Sequence, residues 1–401
     1  MVLSGKKIIL GITGGIAAYK SAWLVRAFIK AGAAVRVVMT PEAKDFVTPL
    51  TLSTLSKNPV LSSFTQDEEN ELWNNHVKLG LWADFLVIAP ATANTLAKMA
   101  SGASDNLLLA TYLSAKCPVY FAPAMDLDMY KHATTQANFK LLASFGNIMI
   151  PATSGELASG LEGQGRMAEP DDIVAFMTKD IRSKLPFYGK KVLITAGPTY
   201  EAIDPVRFIG NHSSGKMGYA LAECAANLGA EVILISGPTA LTVKHSSITV
   251  KEIVSAAQLF EQVKSYFDEV DVAIAAAAVA DYRPINPADE KIKKKTERLQ
   301  ITLEPTEDSL KYMGAHKKSQ FLVGFALETE NEIENAKGKL QRKNLDLIVL
   351  NSLNDTGAGF RTQTNKVTLI NASGTINPQE LKPKKEVAKD IFNHIRQALH
   401  V

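Results

Sequence analysis

The stretch Ile209–Gly218, IGNHSSGKMG, combines glycines, hydroxyls, an amide and a lysine, which are groups that proteins use to bind phosphate. Its glycines and Lys216 fit most of the G-x-x-x-x-G-K-[ST] pattern, but Met217 stands where a magnesium-binding hydroxyl is required. The strand-like run that should lead directly into such a loop ends at Gly197, more than ten residues earlier. The stretch is therefore not a P-loop, and another phosphate-binding role has to be considered.

A second glycine-rich loop, GITGGIAAYK, follows the first apolar run. Its glycines let backbone amides approach an anion at a helix N-terminus, although tight strand-helix turns also use glycine for packing alone. Thr40, Thr92 and Asn94 add hydroxyl and amide groups after the second and third predicted strands. Because parallel strands end at one edge of a sheet, these groups favour a phosphate-bearing cofactor there.

The elements that must position these loops occur twice, in the same order. Each half has a lysine pair before an apolar run that ends at glycine, then a helical stretch and further apolar runs. The first three strands match across the halves: KKIILGITGG with KKVLITAGPT, GAAVRVVMT with GAEVILISGPT, and DFLVIAPATA with DVAIAAAAVAD. The fourth and fifth strands are predicted as CPVYFAPAM and NIMIPA in the first half and as FLVGFALE and LDLIVLN in the second. Continuous apolar strands alternating with helices predict two doubly wound, Rossmann-like α/β domains with mainly parallel sheets.

The domain boundary is predicted in SKLPFYGKK, where Pro186 and Gly189 interrupt a helix, DDIVAFMTKDIRSKL, before the next strand. A chain of 401 residues is too long for one core, so we expect domains at residues 1–185 and 186–401. Ligands of such folds bind outside the carboxyl ends of the strands, which is where the loops above lie.

Composition and charge exclude several classes of protein. A net charge of +3 lacks the basic excess typical of nucleic-acid binding, and two distant cysteines indicate neither zinc nor disulfides. The most apolar stretch, residues 272–280, is too short to span a bilayer. Glycines interrupt the N-terminal apolar run, which predicts a buried strand rather than a signal peptide. We therefore expect a cytoplasmic protein without a nucleic-acid or membrane partner.

Four segments, GITGGIAAYK, APATANTLAKMASGASDNLL, PAMDLDMY and GELASGLEGQGRM, resemble the flavin-dependent cysteine decarboxylases. Over the whole chain, the likeness is to the bifunctional family that joins phosphopantothenoylcysteine decarboxylase to phosphopantothenate-cysteine ligase in coenzyme A biosynthesis. It implies a flavodoxin-like first domain with FMN as its cofactor. The implied FMN contacts are Gly14, Gly15, Thr40, Thr92 and Asn94, and the implied substrate contacts are Met129 and Arg166.

The resemblance also implies a catalytic base, His76 in LWNNHVKLGLWADF. From its position alone, a single histidine is more often a surface or interface residue. An imidazole titrates near neutral pH and can accept a proton while the flavin oxidises the substrate thiol. Loss of carbon dioxide would follow, and the resulting enethiol would then be protonated and reduced.

Two sites differ from the family pattern. Asp126 stands where the family has asparagine, in a motif whose last residue, Tyr130, replaces tryptophan. An amide can donate to a substrate carboxylate but an ionised aspartate only accepts, so Asp126 would need a proton, a cation or a water there. Ser159 stands where the family has a cysteine that protonates the enethiol. Either Asp126 has become the proton donor, or the domain binds FMN without completing the reaction.

In the second half, GPTYEAIDPVRFIGNHSSGKMGYALAE resembles one long motif of the ligase family. The resemblance implies that Ser213, Ser214 and Gly215 hold the nucleotide and acyl-phosphate at the start of a helix. It also implies that Asn211 and Arg207 engage the activated acyl intermediate, although Asn211 could simply cap the helix.

Further segments supply the remaining ligase candidates. Asp281 in ADYRP is an expected magnesium ligand, and Ala277 belongs to a run of small residues that lets a ligand approach the sheet. A lysine run is normally a solvated face, but the likeness of EKIKKK to the family makes Lys291 the expected stabiliser of phosphate charge. Second-tier nucleotide-side candidates are Phe325, Lys339, Lys343 and Asn344.

The implied function is ligation of 4'-phosphopantothenate to cysteine, with CTP as co-substrate and Mg²⁺, followed by FMN-dependent decarboxylation to 4'-phosphopantetheine. The residues alone do not decide between CTP and ATP. A homo-oligomer with trimeric flavin domains and dimeric ligase domains is implied by the family. Two alternatives stay open: a ligase with an impaired decarboxylase, and a non-catalytic flavoprotein that acts as a regulatory subunit.

Overall fold

The computed structural model describes residues 2–67, 72–294, 299–352 and 362–401. The chain divides into two compact units, Met1–Ile181 and Arg182–Val401, just before the predicted boundary at residues 185 and 186. Among the described residues, no helix is both long enough and apolar enough to cross a lipid bilayer.

Unit 1 contains a six-stranded parallel sheet of strand order β3-β2-β1-β6-β7-β8. Its strands are β1 (Lys7–Ile12), β2 (Ala34–Met39), β3 (Val60–Leu61), β4 (Thr65–Asp67), β5 (Leu72–Trp73), β6 (Phe85–Ala91), β7 (Val119–Pro123), β8 (Ile148–Met149), β9 (Thr153–Glu156) and β10 (Glu162–Arg166). Its helices are α1 (Ser21–Lys30), α2 (Pro49–Ser56), α3 (His76–Trp82), α4 (Ala93–Ser101), α5 (Leu107–Ser114), α6 (Leu127–Lys131), α7 (Ala133–Ser144) and α8 (Pro170–Ser183). Two hairpins, β4–β5 and β9–β10, stand apart from the sheet.

Unit 2 contains an eight-stranded sheet of order β15-β14-β11-β16-β19-β20-β22-β23, antiparallel only at β22 and β23. Its strands are β11 (Lys191–Ala196), β12 (Tyr200–Ala202), β13 (Phe208–Gly210), β14 (Glu231–Ser236), β15 (Ile248–Glu252), β16 (Val272–Ala275), β17 (Tyr282–Pro284), β18 (Leu303–Pro305), β19 (Phe321–Glu328), β20 (Leu347–Ser352), β21 (Thr364–Asn365), β22 (Val367–Asn371), β23 (Ile376–Pro378) and β24 (Lys382–Pro383). Its helices are α9 (Lys216–Asn227), α10 (Ala256–Tyr266), α11 (Ser309–His316), α12 (Glu332–Arg342) and α13 (Lys384–Leu399).

Helices cover both faces of each sheet, as the continuous apolar strands predict. In β1, Ile8 packs in a cluster with Phe28 of α1, whereas its neighbour Ile9 packs on the other face with Leu108 of α5. Unit 2 repeats this division between two buried clusters, one on each face of its sheet. The predicted fold class, two doubly wound α/β domains with mainly parallel sheets, is confirmed.

One predicted strand is much shorter than expected. Of the apolar run from residue 272 to residue 280, only Val272–Ala275 joins the sheet as β16. Beyond it, the Ala278 amide donates to the Gly197 carbonyl, and the Ala278 carbonyl accepts from the Thr199 amide. The run therefore leaves the sheet and pairs with the loop after β11, at the carboxyl edge of the strands.

Candidate active sites

In unit 1, the loops after β1 and β6 are joined at the carboxyl edge of the sheet. The Thr13 hydroxyl donates to the Pro90 carbonyl (2.8 Å), and the Thr92 amide donates to the Thr13 hydroxyl (3.1 Å). A Cβ atom on Gly15 would lie 3.2 Å from the Thr92 methyl group, so these loops are in close contact. Asn94 is exposed in the first turn of α4, which Thr92 caps. The structure thus brings the predicted glycines together with Thr92 and Asn94.

Thr40 follows β2 at the same edge. Its side chain is buried, and its hydroxyl has no hydrogen-bond partner in the part of the chain that the structure describes. A buried polar atom without a partner is destabilising unless a ligand or water satisfies it. A hydroxyl beside a glycine loop and a helix N-terminus suits the phosphate of a flavin nucleotide, so these residues fit FMN.

His76 is the first residue of α3, the helix that precedes β6. A helix that precedes a strand of a parallel sheet begins near the carboxyl edge of that sheet. His76 therefore lies at the same edge as the glycine loop. Its ring meets Phe64 and Trp73 edge to face, with centroids 6.3 and 5.8 Å away. Its buried Nδ1 has no partner among the described residues, which leaves that nitrogen available for a ligand.

Asp126 follows β7, which pairs with β6. It is half-buried, and its carboxylate makes no hydrogen bond or ion pair with any residue that the structure describes. The hairpin β9–β10 closes over this loop: the Met125 amide donates to the Gly165 carbonyl (3.0 Å). A Cβ atom on Gly165 would lie 2.4 Å from the Met125 oxygen, so only glycine fits there. Met129, on α6, is exposed.

Ser159 and Arg166 lie on that hairpin. Ser159 is exposed in the turn between β9 and β10, where its hydroxyl accepts from the Leu161 amide (3.4 Å). Arg166 pairs with Glu169 (3.2 Å), which also accepts from the buried Lys20 (2.7 Å). The hydrogen bond from Lys20 chiefly lowers the pKa of Glu169. Ser159 and Asp126 share no hydrogen bond within the described chain.

In unit 2, a cleft of about 650 Å³ opens at the carboxyl ends of β11, β16 and β19. Most of the predicted ligase residues line it: Asn211, Ser213, Ser214, Gly215, Ala277, Asp281, Phe325, Lys339 and Lys343. Arg207, Lys291 and Asn344 are not among the lining residues.

The loop that raised the P-loop question ends at α9. Gly215 has the left-handed conformation (φ 76°) immediately before the helix, and its amide donates to the Ser213 hydroxyl (3.3 Å). The Ser214 carbonyl accepts from the Thr239 hydroxyl (3.1 Å), which ties the loop to the segment after β14. Lys216, Met217 and Gly218, the first residues of α9, line the cleft, and the free amides of a helix N-terminus can bind phosphate.

Asn211 bonds the small-residue run instead of capping a helix. Its Nδ2 donates to the carbonyls of Ala278 (3.1 Å) and Val279 (3.0 Å), whereas the cap of α9 is Gly215. Capping therefore does not account for Asn211. Its two amide hydrogens are used within the protein, which leaves Oδ1 as an acceptor toward the cleft.

Arg207 is bonded to the segment that follows Lys291. The Arg207 guanidinium donates to the buried carboxylate of Asp204 (2.9 Å from Nε) and to the Ile292 carbonyl (2.7 Å). The Asp204 carboxylate also accepts from the Ile292 amide (3.1 Å). Burial raises the pKa of Asp204, but hydrogen bonds from Arg207 and from backbone amides hold that pKa far below its usual value. Arg207 and Asp204 thus hold the segment that carries the exposed Lys291 through hydrogen bonds to Ile292.

Two lysines approach the cleft from α12 and its end. Lys339 donates to the Phe325 carbonyl (2.9 Å), and burial lowers the pKa of its ammonium group. Lys343 forms an ion pair with Asp308, which caps α11. Burial raises the pKa of Asp308, but the hydrogen bonds from Lys343 and from the Lys311 amide, together with the charges of Lys343 and Lys339, lower it below its usual value.

Sequence reasoning missed several cleft residues. Ser309 is 7% exposed, and its hydroxyl has no partner among the described residues. The buried Lys384 donates to the Thr362 and Thr364 carbonyls, and burial, helped by Lys216, lowers its pKa to about 8. For Ser309, the aspartate in TEDSL that caps the following helix was a usable sequence signal. No sequence signal could have placed Lys384, which begins a helix at the far end of the chain.

Within the described ranges, no group of three or more His, Cys, Asp or Glu residues could hold a metal ion. Asp281 is exposed on the cleft wall. A single carboxylate fits Mg²⁺ when substrate phosphates supply further ligands, which is common for this ion.

Two family models match the chain. Residues 2–182 match the model described as Flavoprotein, and residues 187–399 match the DNA/pantothenate metabolism flavoprotein C-terminal domain. The chain is 43% identical to the coenzyme A biosynthesis bifunctional protein CoaBC of Bacillus subtilis, over 98% of this chain and 97% of that protein.

A second relative, from an unknown prokaryotic organism, is named cysteine/cysteine sulfinic acid decarboxylase. It is 55% identical, over 88% of this chain and 100% of its own length. Among solved structures, the C-terminal domain of a CoaBC protein is 46% identical (TM-score 0.47) and covers 54% of this chain and 99% of its own. The FMN-dependent cysteine decarboxylase SpaF is 27% identical (TM-score 0.38) and covers 44% of this chain and 98% of its own.

Proposed function

Because this chain belongs to the family of bifunctional coenzyme A biosynthesis proteins, we propose that it ligates 4'-phosphopantothenate to cysteine and then decarboxylates the product to 4'-phosphopantetheine. The observation that carries the proposal is the match over 98% of the chain, which includes both enzymatic halves. The cleft at the start of α9 supports the assignment of the ligase to unit 2.

The ligase reaction has two steps. The carboxylate of 4'-phosphopantothenate attacks the α-phosphorus of CTP and releases pyrophosphate; the amine of cysteine then attacks the acyl carbon and releases the nucleoside monophosphate. The amides of α9, with Ser213 and Ser214, would hold phosphates, and Lys291 would stabilise the developing charge. Asp281 would bind Mg²⁺ together with substrate phosphates. The free Oδ1 of Asn211 would accept a hydrogen bond from the attacking amine.

The decarboxylase reaction belongs to unit 1. The residues at the glycine loop, with Thr40, Thr92 and Asn94, would hold FMN, which supplies reversible two-electron chemistry when bound. His76 would take the proton of the substrate thiol, since an imidazole nitrogen can act as a general base. The hairpin β9–β10 would cover the substrate beside Asp126 and reduce its contact with water.

A second candidate for unit 1 is decarboxylation of a free sulfur amino acid. The relative that is 55% identical is named for cysteine and cysteine sulfinic acid, and the bifunctional relative is 43% identical.

We include a homo-oligomer and a cytoplasmic location in the proposal. Ile16, Trp23 and Leu50 of unit 1 are 59%, 60% and 75% exposed, and large exposed apolar side chains favour contact with another chain. Light scattering that gives the mass of one chain would contradict the oligomer. Cell fractionation that finds the protein outside the cytoplasm would contradict the location.

Coupled turnover tests the main proposal. The flavin-loaded full chain is given 4'-phosphopantothenate, cysteine, Mg²⁺ and either CTP or ATP, and the products are followed by mass spectrometry. We expect 4'-phosphopantothenoylcysteine, CMP and pyrophosphate with CTP, followed by 4'-phosphopantetheine. Pyrophosphate release from ATP alone would overturn the choice of CTP, and release from neither nucleotide would overturn the ligase.

A further inference from the structure

Two asparagines meet at the wall of the cleft in unit 2. Asn351, near the end of β20, and Asn365, in β21, both line the cleft. Asn365 is 4% exposed, and its Nδ2 donates to the Oδ1 of Asn351 (2.9 Å). The Oδ1 of Asn365 accepts from the Lys366 amide (3.1 Å), so the side-chain amide of Asn365 is fixed at both ends.

The register of β20 turns Asn351 toward the face of the sheet that α9 covers. Successive residues of a strand point to opposite faces. Leu347 and Val349 pack in the buried cluster that contains α9 and α13, whereas Ile348 and Leu350 pack in the cluster on the other face. Asn351 continues the first series, so its side chain lies on the face where α9 begins.

The contact with Asn365 decides which end of the Asn351 amide reaches the cleft. The Oδ1 of Asn351 already accepts a hydrogen bond within the protein, and its Nδ2 bonds to none of the described residues. Asn351 therefore presents an NH₂ donor to the cleft. Asn211 has the opposite arrangement, because its Nδ2 bonds to the carbonyls of Ala278 and Val279 and leaves Oδ1 as the acceptor.

A buried lysine holds the hairpin that carries Asn365. β21 pairs with β24, which leads directly into α13. Lys384, at the start of α13, is 8% exposed and donates to the carbonyls of Thr362 (3.1 Å) and Thr364 (2.8 Å). Since Thr364 precedes Asn365, these bonds fix the backbone from which the Asn365 side chain projects.

We propose that Asn365 is a positioning residue of the ligase, which orients Asn351 so that the Asn351 amide donates to a substrate phosphate bound at the start of α9. The inference rests on the ligase assigned to unit 2. Phosphate oxygens are strong acceptors, so an NH₂ group suits them and a carbonyl oxygen does not. Lys216, the first residue of α9, lines the same cleft and adds positive charge. 4'-Phosphopantothenate and CTP both carry phosphate, and the test distinguishes between them.

The test measures the Kd of 4'-phosphopantothenate and of CTP with Mg²⁺ separately, by calorimetry on the flavin-loaded full chain. Asn351→Ala removes the donor, and we expect the Kd of one of the two ligands to rise about 10-fold, as for a lost hydrogen bond to a charged group. Asn365→Leu should raise the Kd of the same ligand about 5-fold, because the Asn351 amide can then turn. Asn365→Asp should raise it more, because a carboxylate accepts from Nδ2 and turns Oδ1 toward the cleft.

A double-mutant cycle separates positioning from a direct role. In the Asn351→Ala background, Asn365→Leu should change this Kd by less than about twofold, because Asn365 acts through Asn351. Asn371→Asp is the control: the Oδ1 of Asn371, at the end of β22, already accepts from Ser373 and Thr375, so a carboxylate keeps both bonds and should change neither Kd. Thermal unfolding establishes that each variant is folded.

Each outcome supports or overturns the inference. Unchanged Kd values in Asn351→Ala and Asn365→Leu would overturn it, and so would an equal rise for both ligands, which indicates a disordered cleft. Additive effects in the double mutant would give Asn365 a role that does not pass through Asn351 and would also overturn it. Absence of ligation by a wild type that binds both ligands would overturn the proposed function instead.

Discussion

The two units place polar residues at the same edge of a similar sheet but surround them with different charges. The cleft of unit 2 is lined by four lysines, Lys216, Lys339, Lys343 and Lys384, and by three carboxylates, Asp281, Glu307 and Asp308. The edge of unit 1 presents hydroxyls, a histidine and the carboxylate of Asp126. Since opposite charges attract, the lysines of unit 2 suit a polyphosphate. One fold therefore serves two chemistries through its loops.

The largest expected effect is a loss of ligase activity in unit 2 without a change in flavin binding by unit 1. Asn211→Asp would set a carboxylate against the carbonyls of Ala278 and Val279, which now accept its amide hydrogens. We expect the ligase kcat/KM, measured by pyrophosphate release, to fall about 100-fold or more. Bound flavin per chain should stay unchanged, and loss of the flavin would contradict the division of labour. Asn335→Asp, on the exposed face of α12, is the control.

The reciprocal change acts on unit 1. Thr40→Val removes the buried hydroxyl that lacks a partner in the described chain. We expect the Kd of FMN, measured by fluorescence quenching, to rise about 10-fold or more, as for a lost hydrogen bond to a charged group. The ligase rate should not change. Equal FMN affinity in the variant and in the exposed control Thr54→Val would show that the Thr40 hydroxyl does not bind the cofactor.

A pH profile sharpens the electrostatic contrast. The pKa of Lys384 is lowered to about 8 by burial, so its charge is present below that pH and lost above it. We expect the KM for the nucleotide to rise roughly 5-fold between about pH 7 and pH 9, as the cleft loses one positive charge. Lys384→Met should flatten this rise, whereas Lys385→Met, which removes an exposed neighbour, should retain it. The same slope in both variants would exclude Lys384 as its source.

The smallest expected effect concerns Ser309. Its hydroxyl faces the cleft and has no partner among the described residues, so a bound nucleotide is its expected partner. Ser309→Ala should raise the nucleotide KM about 5-fold, without lowering the stability of the ligand-free protein. Thermal unfolding with and without nucleotide measures both, and Ser265→Ala, on the exposed face of α10, is the control. A variant that is destabilised without nucleotide would show a structural role instead.

The fold was largely predictable because hydrophobic periodicity is a local signal. Segments such as FLVGFALE correspond directly to strands, here β19. The run after Ala275 was mispredicted, because hydrogen bonds with Gly197 and Thr199, distant in sequence, override its apolar pattern.

The sites were less predictable than the fold. Loop residues such as Ser213 and Thr92 could be named because glycines and strand ends mark their positions. Ser309 and Lys384 could not be assigned to the cleft, because burial and long-range contacts bring them there. Whether Asp126 and Ser159 support decarboxylation depends on what they contact with substrate bound, and a sequence pattern carries no such information.

Coupled turnover with labelled cysteine tests whether one chain carries two working active sites. The flavin-loaded wild type is supplied with 4'-phosphopantothenate, CTP, Mg²⁺ and cysteine labelled at its carboxyl carbon. We expect one CMP for each ligation and labelled carbon dioxide together with unlabelled 4'-phosphopantetheine. Accumulation of labelled 4'-phosphopantothenoylcysteine without labelled carbon dioxide would contradict it, because only the ligase would then be at work.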